Sequence, residues 1–266
     1  MIISSKDNEI VKHYKKLKEK KYRDEFSEYT IEGIKIINEA IENGANISTI
    51  FVCEELLNTN NKNGQLEKLK DNLKRIENQK IINVTESIIR YLSEVINTQG
   101  ILAIIKKEEE AKIDLSAELL LVLDNIQDPG NLGTIIRTAD ACGLNQIIIS
   151  KETADPYNSK VIRSTMGSIF RVKIIREENL LEKLLEIKND GFDIVTTSLD
   201  TDNYIYDIDY NKKVIVIGNE ANGVEEDINK ISDVKIKIPM LGKAESLNAS
   251  VATGIVLYEY VRKKIK

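Results

Sequence analysis

The 266-residue sequence is poor in the side chains that much enzyme chemistry relies on: it has one histidine, two cysteines and no tryptophan. With His13 alone, a Ser-His-Asp or Cys-His arrangement is excluded unless His13 itself is the base, and multi-histidine metal sites are excluded outright. Cys53 and Cys142 lie far apart with no C-x-x-C spacing, which removes zinc fingers and thiol–disulfide redox motifs. Two thiols do not make a disulfide framework either. No metal is expected. Apolar runs such as residues 119–123 and 214–217 fall well short of the ~18 residues a membrane span needs, so no membrane partner is expected. The opening Met-Ile-Ile-Ser-Ser-Lys-Asp has no signal-peptide pattern, and the expected compartment is the cytoplasm.

What is present is an ordinary globular composition, 42% hydrophobic and 30% charged. At about 100–200 residues per domain, the length suggests two domains, each able to bury a core. The net charge of −5 speaks against a nucleic-acid partner but hides an asymmetry. Residues 9–23 hold seven basic side chains (Lys12, Lys15, Lys16, Lys18, Lys20, Lys21 and Arg23) against two acidic ones. Local clusters, not net charge, make the electrostatic footprint on phosphates. The plain alternative is a solvated helix face.

Hydrophobic spacing predicts one basic helix over 9–21, then an extended stretch at 29–32 and a helix at 34–42 closed by Asn43-Gly44. Strands follow at 49–53, 81–84 and 101–105, with helices at 66–76 and 87–95. Strands separated by helices imply an α/β domain with a parallel or mixed sheet. The polar stretch Lys-Lys-Glu-Glu-Glu-Ala-Lys places a linker around 106–114, giving an N-terminal domain over 1–108 and a C-terminal one over 115–266. Beyond it, apolar strands at 119–124, 146–150, 193–197, 214–217 and 234–238 alternate with helices at 134–141, 180–188 and 248–263. Such continuous apolar strands indicate a parallel sheet covered on both faces.

In open α/β sheets, ligands bind beyond the carboxyl ends of the strands, and three segments there stand out. The first is Asp124-Asn125-Ile126-Gln127-Asp128-Pro129-Gly130-Asn131-Leu132-Gly133, a Pro-Gly turn opening a helix on which Thr134, Arg137 and Thr138 share a face. An arginine there could hold a phosphate or a reacting group, or simply pair with a surface carboxylate. The second is Gly218-Asn219-Glu220-Ala221-Asn222-Gly223. It fails as a dinucleotide fingerprint because Glu220 replaces a glycine, and as a P-loop because Val224-Glu225 replaces the lysine. A glycine-flexed loop with an anionic residue suits a neutral or cationic ligand better than a phosphate. The third runs from Ile238-Pro239-Met240 to Ser246-Leu247-Asn248, after which Ser246 or Asn248 caps a helix with a small-residue face at Ala249, Ala252, Thr253 and Val256. Alone, this one reads as capping and close packing.

In order and spacing, the three segments resemble the three motifs of the SpoU (TrmH-like) branch of the SPOUT RNA methyltransferases. The matching strings are Asn131-Leu132-Gly133-Thr134-Ile135-Ile136-Arg137-Thr138-Ala139, Ile217-Gly218-Asn219-Glu220-Ala221-Asn222-Gly223, and Ile238-Pro239-Met240 with Glu245-Ser246-Leu247-Asn248-Ala249-Ser250-Val251-Ala252. The match spans roughly residues 118–262. More weakly, Tyr29-Thr30-Ile31-Glu32-Gly33 and Gln99-Gly100-Ile101-Leu102-Ala103 make the N-terminal half similar to that family's substrate-binding domain.

The resemblance implies transfer of a methyl group from S-adenosylmethionine to a ribose 2′-hydroxyl of RNA, 23S ribosomal RNA by preference. It also implies a parallel-sheet SPOUT domain tied in a trefoil knot, and homodimers whose active site lies where two knots meet. Arg137 would activate the hydroxyl, with Asn131, Glu220, Ser246 and Asn248 completing the polar shell. Thr197, Ser198, Leu199, Gly218, Ile238, Met240 and Leu247 would line the cofactor. A tRNA ribose methyltransferase, a base-methylating SPOUT enzyme and a non-catalytic RNA-binding member are the alternatives; intact Arg137, Glu220 and Asn248 speak against the last.

Overall fold

The computed structural model describes residues 2–59, 64–108 and 112–265. The chain divides into two compact units, Met1–Glu109 with Tyr157–Phe170, and Glu110–Pro156 with Arg171–Lys266. The sequence boundary does not provide for this excursion. Helix-forming residues 159–165 pack with the first unit, where Ile162 enters the core and Tyr157 and Phe170 lie against it. Residues 109–111, in the middle of the expected linker, lie outside the described residues.

In chain order the first unit runs β1 (Ile2–Ile3), α1 (Glu9–Lys16), α2 (Lys20–Phe26), β2 (Glu28–Glu32), α3 (Ile34–Glu42) and β3 (Ile47–Val52). It continues with α4 (Glu54–Thr59), α5 (Gln65–Leu73), β4 (Ile81–Val84), α6 (Glu86–Leu92) and β5 (Ile101–Lys106). Its five-stranded sheet has the order β1-β4-β3-β5-β2, with β1, β4 and β3 parallel and β5 antiparallel to both of its neighbours. Side chains alternate across this sheet, and both faces are covered. Ile101, Ala103 and Ile105 join one core cluster with Ile34 and Ile37 of α3, while Leu102 and Ile104 join a second with Val11, Tyr14 and Ile89. That double burial explains why β5 reads as an unbroken apolar run.

The single basic helix expected over 9–21 is two helices. Leu17 is fully buried, and the chain turns between Leu17 and Glu19. Arg23 is buried too, and donates to the carbonyls of Leu17 at 2.9 Å and Lys18 at 2.7 Å, where the helix breaks. One of the seven basic residues is therefore a structural cap. Arg23→Ala strands buried carbonyls and is expected to lower unfolding free energy by about 2–3 kcal/mol, read from urea denaturation. An unchanged midpoint would contradict this role.

The second unit contains β6 (Leu119–Leu123), α7 (Pro129–Ala141), β7 (Gln146–Ser150), β8 (Lys173–Glu177), α9 (Leu180–Asn189), β9 (Asp193–Thr197) and β10 (Lys213–Ile217). It ends with α10 (Glu226–Ile231), β11 (Val234–Ile236) and α11 (Ala249–Lys264); α8 is the Ser159–Thr165 helix of the first unit. The six-stranded sheet, β11-β9-β10-β6-β7-β8, is parallel throughout, as the apolar strands imply. Leu120, Val122, Val214 and Val216 meet Leu184 and Ile187 of α9 on one face. α7 begins five residues earlier than expected, because Asp128 caps it and Pro129 takes its first position, where no N–H is needed. The sequence pattern does not announce α4, α8, β8 and α10; each is at most seven residues long and weakly patterned.

Candidate active site

The order of the parallel sheet reverses between β6 and β10. From β6 the chain proceeds outward through β7 to β8, then crosses over to build β9, β10 and β11 on the other side. Crevices at such switch points form beyond the strands' carboxyl ends. A cavity of about 390 Å³ opens on the β10 side of that point, beyond the carboxyl ends of β9, β10 and β11, within the roughly 300–1,000 Å³ usual for small-molecule sites. Thr197, Ser198 and Leu199 after β9, Gly218 after β10, Ile238 and Met240 after β11, and Leu247 before α11 all line it. The structure thus brings together every residue expected around a cofactor. Glu220 and Ser246 line it as well.

Three of the five expected polar-shell residues form a chain of hydrogen bonds. The Asn131 Nδ2 donates to Glu220 Oε1, and Asn248 Nδ2 donates to Asn131 Oδ1 at 2.9 Å. Asn131 therefore joins the start of α7 to the β10 loop and to the start of α11. Asn248, rather than Ser246, caps α11, its Oδ1 accepting from the N–H groups of Ser250 at 3.0 Å and Val251 at 3.3 Å. Ser246 is exposed at the cavity wall.

Arg137 stands apart. It is exposed, does not line the cavity, and makes no hydrogen bond or ion pair among the described residues. Six residues beyond Asn131 on α7, it sits about 9 Å farther along the helix axis. The surface-carboxylate alternative for Arg137 is not realised. α7 itself is packed closely on α11, where the methyl of Thr138 approaches Gly254. Of the expected small-residue face, Ala249, Thr253 and Val256 are buried and Ala252 lines the cavity.

Sequence reasoning missed the residues that shape the β10 loop. Asn219 Oδ1 accepts from Ala221 N–H at 2.9 Å and Asn222 N–H at 3.3 Å, and its Nδ2 donates to the Asn125 carbonyl at 2.9 Å. Asp124, only 5% exposed, accepts from Glu225 N–H at 2.7 Å. Burial pushes the Asp124 carboxyl above the usual aspartate range, and that bond partly offsets the push. The side-chain–backbone pattern of Asn219 is the Asx turn that an Asn-x-x-Asn-Gly string can announce; the reach back to 124–125 crosses most of the domain's sequence.

In the first unit, the two weakly matched strings serve local structure. Glu32 accepts from the Ser93 hydroxyl at 2.5 Å and from Glu94 N–H at 3.0 Å. Gln99 Oε1 accepts from Ile34 N–H at 2.8 Å, satisfying a donor at the start of α3.

Among the described residues, no helix is long and apolar enough to cross a membrane, and no cluster of His, Cys, Asp or Glu is arranged to hold a metal ion. Fold and site define a class: a parallel α/β protein with a cavity of small-molecule size beyond the carboxyl ends of its strands β9, β10 and β11. The chain belongs to the SpoU rRNA Methylase family, whose profile matches residues 118–258; an MRM3-like substrate binding domain matches 8–103. It is 32% identical over 257 residues to the 23S rRNA (guanosine(2553)-2′-O)-methyltransferase RlmP of Bacillus subtilis, covering 96% of this chain and 97% of that protein. The structure of an AdoMet-bound rRNA methyltransferase from Sinorhizobium meliloti superposes with a TM-score of 0.84 at 31% identity, covering 100% of this chain and 98% of that one. The SpoU methyltransferase AviRb from Streptomyces viridochromogenes, in complex with AdoMet, gives 0.80 at 25% identity, covering 97% and 99%.

Proposed function

We propose that this protein transfers the methyl group of S-adenosylmethionine to a ribose 2′-hydroxyl of RNA, with 23S ribosomal RNA as the substrate. The observation that carries this reading is the cavity beyond the carboxyl ends of β9, β10 and β11, walled by residues 197–199, 218, 238, 240 and 247 together. Its lining suits the cofactor: Leu199, Ile217, Ile238, Met240 and Leu247 offer apolar surface to an adenosyl group, and Ser198, Asn219 and Ser246 offer polar atoms to its charged end. S-adenosylmethionine supplies a methyl already activated on a sulfonium. What remains for the chain is to hold the hydroxyl oxygen in line and let one proton leave.

Arg137 is the residue proposed for that positioning. A guanidinium stays protonated in proteins, so Arg137 serves as a fixed charge and a forked donor to ribose or phosphate oxygens, not as a base. Asn131, Glu220 and Asn248 fix the geometry between α7 and the two loops, and Ser246 contributes a hydroxyl at the wall.

Two finer points belong to the same proposal. The chain acts as a homodimer, with Val251 and Tyr258, 50% and 55% exposed on the outer side of α11, offering an apolar interface next to α7. The carboxyl-terminal segment is tied in a trefoil knot; support comes from β10 lying between β9 and β6 while residues 238–247 return to the 218–224 loop at the cavity. An RNA substrate of this kind places the protein in the cytoplasm.

The test is calorimetry of the full chain with S-adenosylmethionine, followed by transfer of labelled methyl into 23S RNA and mapping of the modified nucleotide. Saturable heat and label resistant to alkaline cleavage at one ribose are expected. No heat at millimolar cofactor would sink the assignment.

A further inference from the structure

The lysines of the first unit are distributed in a way that the proposed methyl transfer does not explain. Lys12 pairs with Asp7 and Glu9, and Lys18 pairs with Glu94 at 3.6 Å. Lys6, Lys15, Lys16, Lys20 and Lys21 make no ion pair among the described residues, and four of these five rest on aromatic rings. Lys6 and Lys15 lie 4.7 Å and 4.2 Å from the centre of the Tyr91 ring, and Lys16 and Lys21 lie 5.7 Å and 5.6 Å from that of Tyr22. Tyr91 is 39% exposed. Tyr22 stacks on Phe26 at 6.2 Å with the rings 12° apart, and Phe26 is itself 38% exposed. Because Lys15 and Lys16 are consecutive on α1, one serves the Tyr91 ring and the other the Tyr22 ring, and α1 lies between two aromatic platforms. Partial burial, and then the charges of Lys18 and Lys6, hold the Lys15 pKa below the ordinary lysine value. An anion placed among these ammoniums would relieve that crowding.

We propose that this surface is a platform for single-stranded RNA. Tyr91 and the Tyr22–Phe26 pair take bases, and Lys6, Lys15, Lys16 and Lys21 take the neighbouring phosphates. The proposal rests on the methyltransferase reading and names where its substrate is gripped. Aromatic faces accept any base, and lysines beside them track the backbone. An exposed cation–π contact is weak, so each ammonium can leave its ring for a phosphate when a base arrives. A duplex hides its base faces and would use the lysines alone.

Fluorescence anisotropy tests this on the full chain, with a labelled mixed-sequence single-stranded RNA of about ten nucleotides and the same sequence as duplex. Tyr91→Ala is expected to weaken single-strand binding roughly tenfold or more, while Tyr91→Phe, which keeps the ring, stays near wild type. Replacing Lys6, Lys15, Lys16 and Lys21 by Gln should flatten the log–log salt slope by ~0.7 for each phosphate no longer neutralised. The lysine variant carries the test if Tyr91→Ala fails to fold. Unchanged affinity and slope in a folded variant overturn the platform, as does displacement of RNA by poly-glutamate with no loss from Tyr91→Ala, which marks an acidic protein surface as the partner. A wild type that binds S-adenosylmethionine and methylates 23S RNA while these variants behave as wild type overturns the platform alone. One that binds neither cofactor nor RNA overturns the proposed function with it.

Discussion

Arg137→Ala is expected to lower methyl transfer by on the order of 100–1,000-fold or more while leaving S-adenosylmethionine affinity within a few-fold of wild type. The separation follows from where the side chain lies. The cavity is walled by the loops after β9, β10 and β11 and by the start of α11, and Arg137 is on none of them. Its exposed guanidinium, without a protein partner among the described residues, is available to an anionic substrate at little desolvation cost. In the proposed homodimer the site lies where two C-terminal units meet, which lets a guanidinium outside the cavity of its own chain serve the reaction. Arg137→Lys sharpens the experiment, because it keeps the charge but loses the planar fork. If orientation of ribose or phosphate is the role, Lys recovers only part of the rate. A variant that loses cofactor binding yet keeps its rate at saturation would assign Arg137 to the cavity instead.

The parts of this protein that sequence pattern reveals are those fixed by local rules. The strands at 146–150 and 193–197 are readable to the residue, because their buried centres are short runs of β-branched residues, Ile147 to Ile149 and Ile194 to Thr196, with polar residues at both ends. α3 is readable to both ends, with Asn43 and Gly44 closing it. The residues around the cavity are legible through their strings at strand ends, once three of them occur in one order. Contacts that return across the chain are not legible. Nothing near Asp124 or Asn125 announces their bonds to Glu225 and Asn219, and nothing in a run of lysines says that Arg23 points inward. The same holds for residues 157–170, whose core residue Ile162 is apolar enough for either unit but packs in the first. Nor does the string around Arg137 disclose that it stands clear of the cavity while Asn131 reaches both neighbouring loops.

Gly218→Ala is the substitution expected to empty the cavity. A Cβ at position 218 would stand 2.2 Å from the carbonyl carbon of Gly223 and from the nitrogen of Val224, and 2.4 Å from the Gly223 oxygen. All three are backbone atoms, so no side chain can swing aside to make room. The loop cannot yield easily either. Asn219 and Gly223 exchange backbone hydrogen bonds at 3.0 Å and 2.9 Å, Asn219 is tied to Asn125, and Glu225 is tied to buried Asp124. Residues 217–224 form a large part of the cavity wall, and any shift that accommodates the methyl moves that wall and pulls Glu220 from Asn131. Overpacking of this kind costs about 1–3 kcal/mol in side-chain cores, and a clash between backbone segments belongs at the upper end. The expected result is a lowered urea midpoint together with loss of at least about tenfold in S-adenosylmethionine affinity, or about 1.4 kcal/mol. Gly242→Ala is the matched control: a Cβ there would meet nothing within 4 Å, and Gly242 does not line the cavity. Calorimetry on both variants decides the matter. A Gly218→Ala protein that binds cofactor as Gly242→Ala does would show that the close approach of 218 to 223–224 is not what shapes the site.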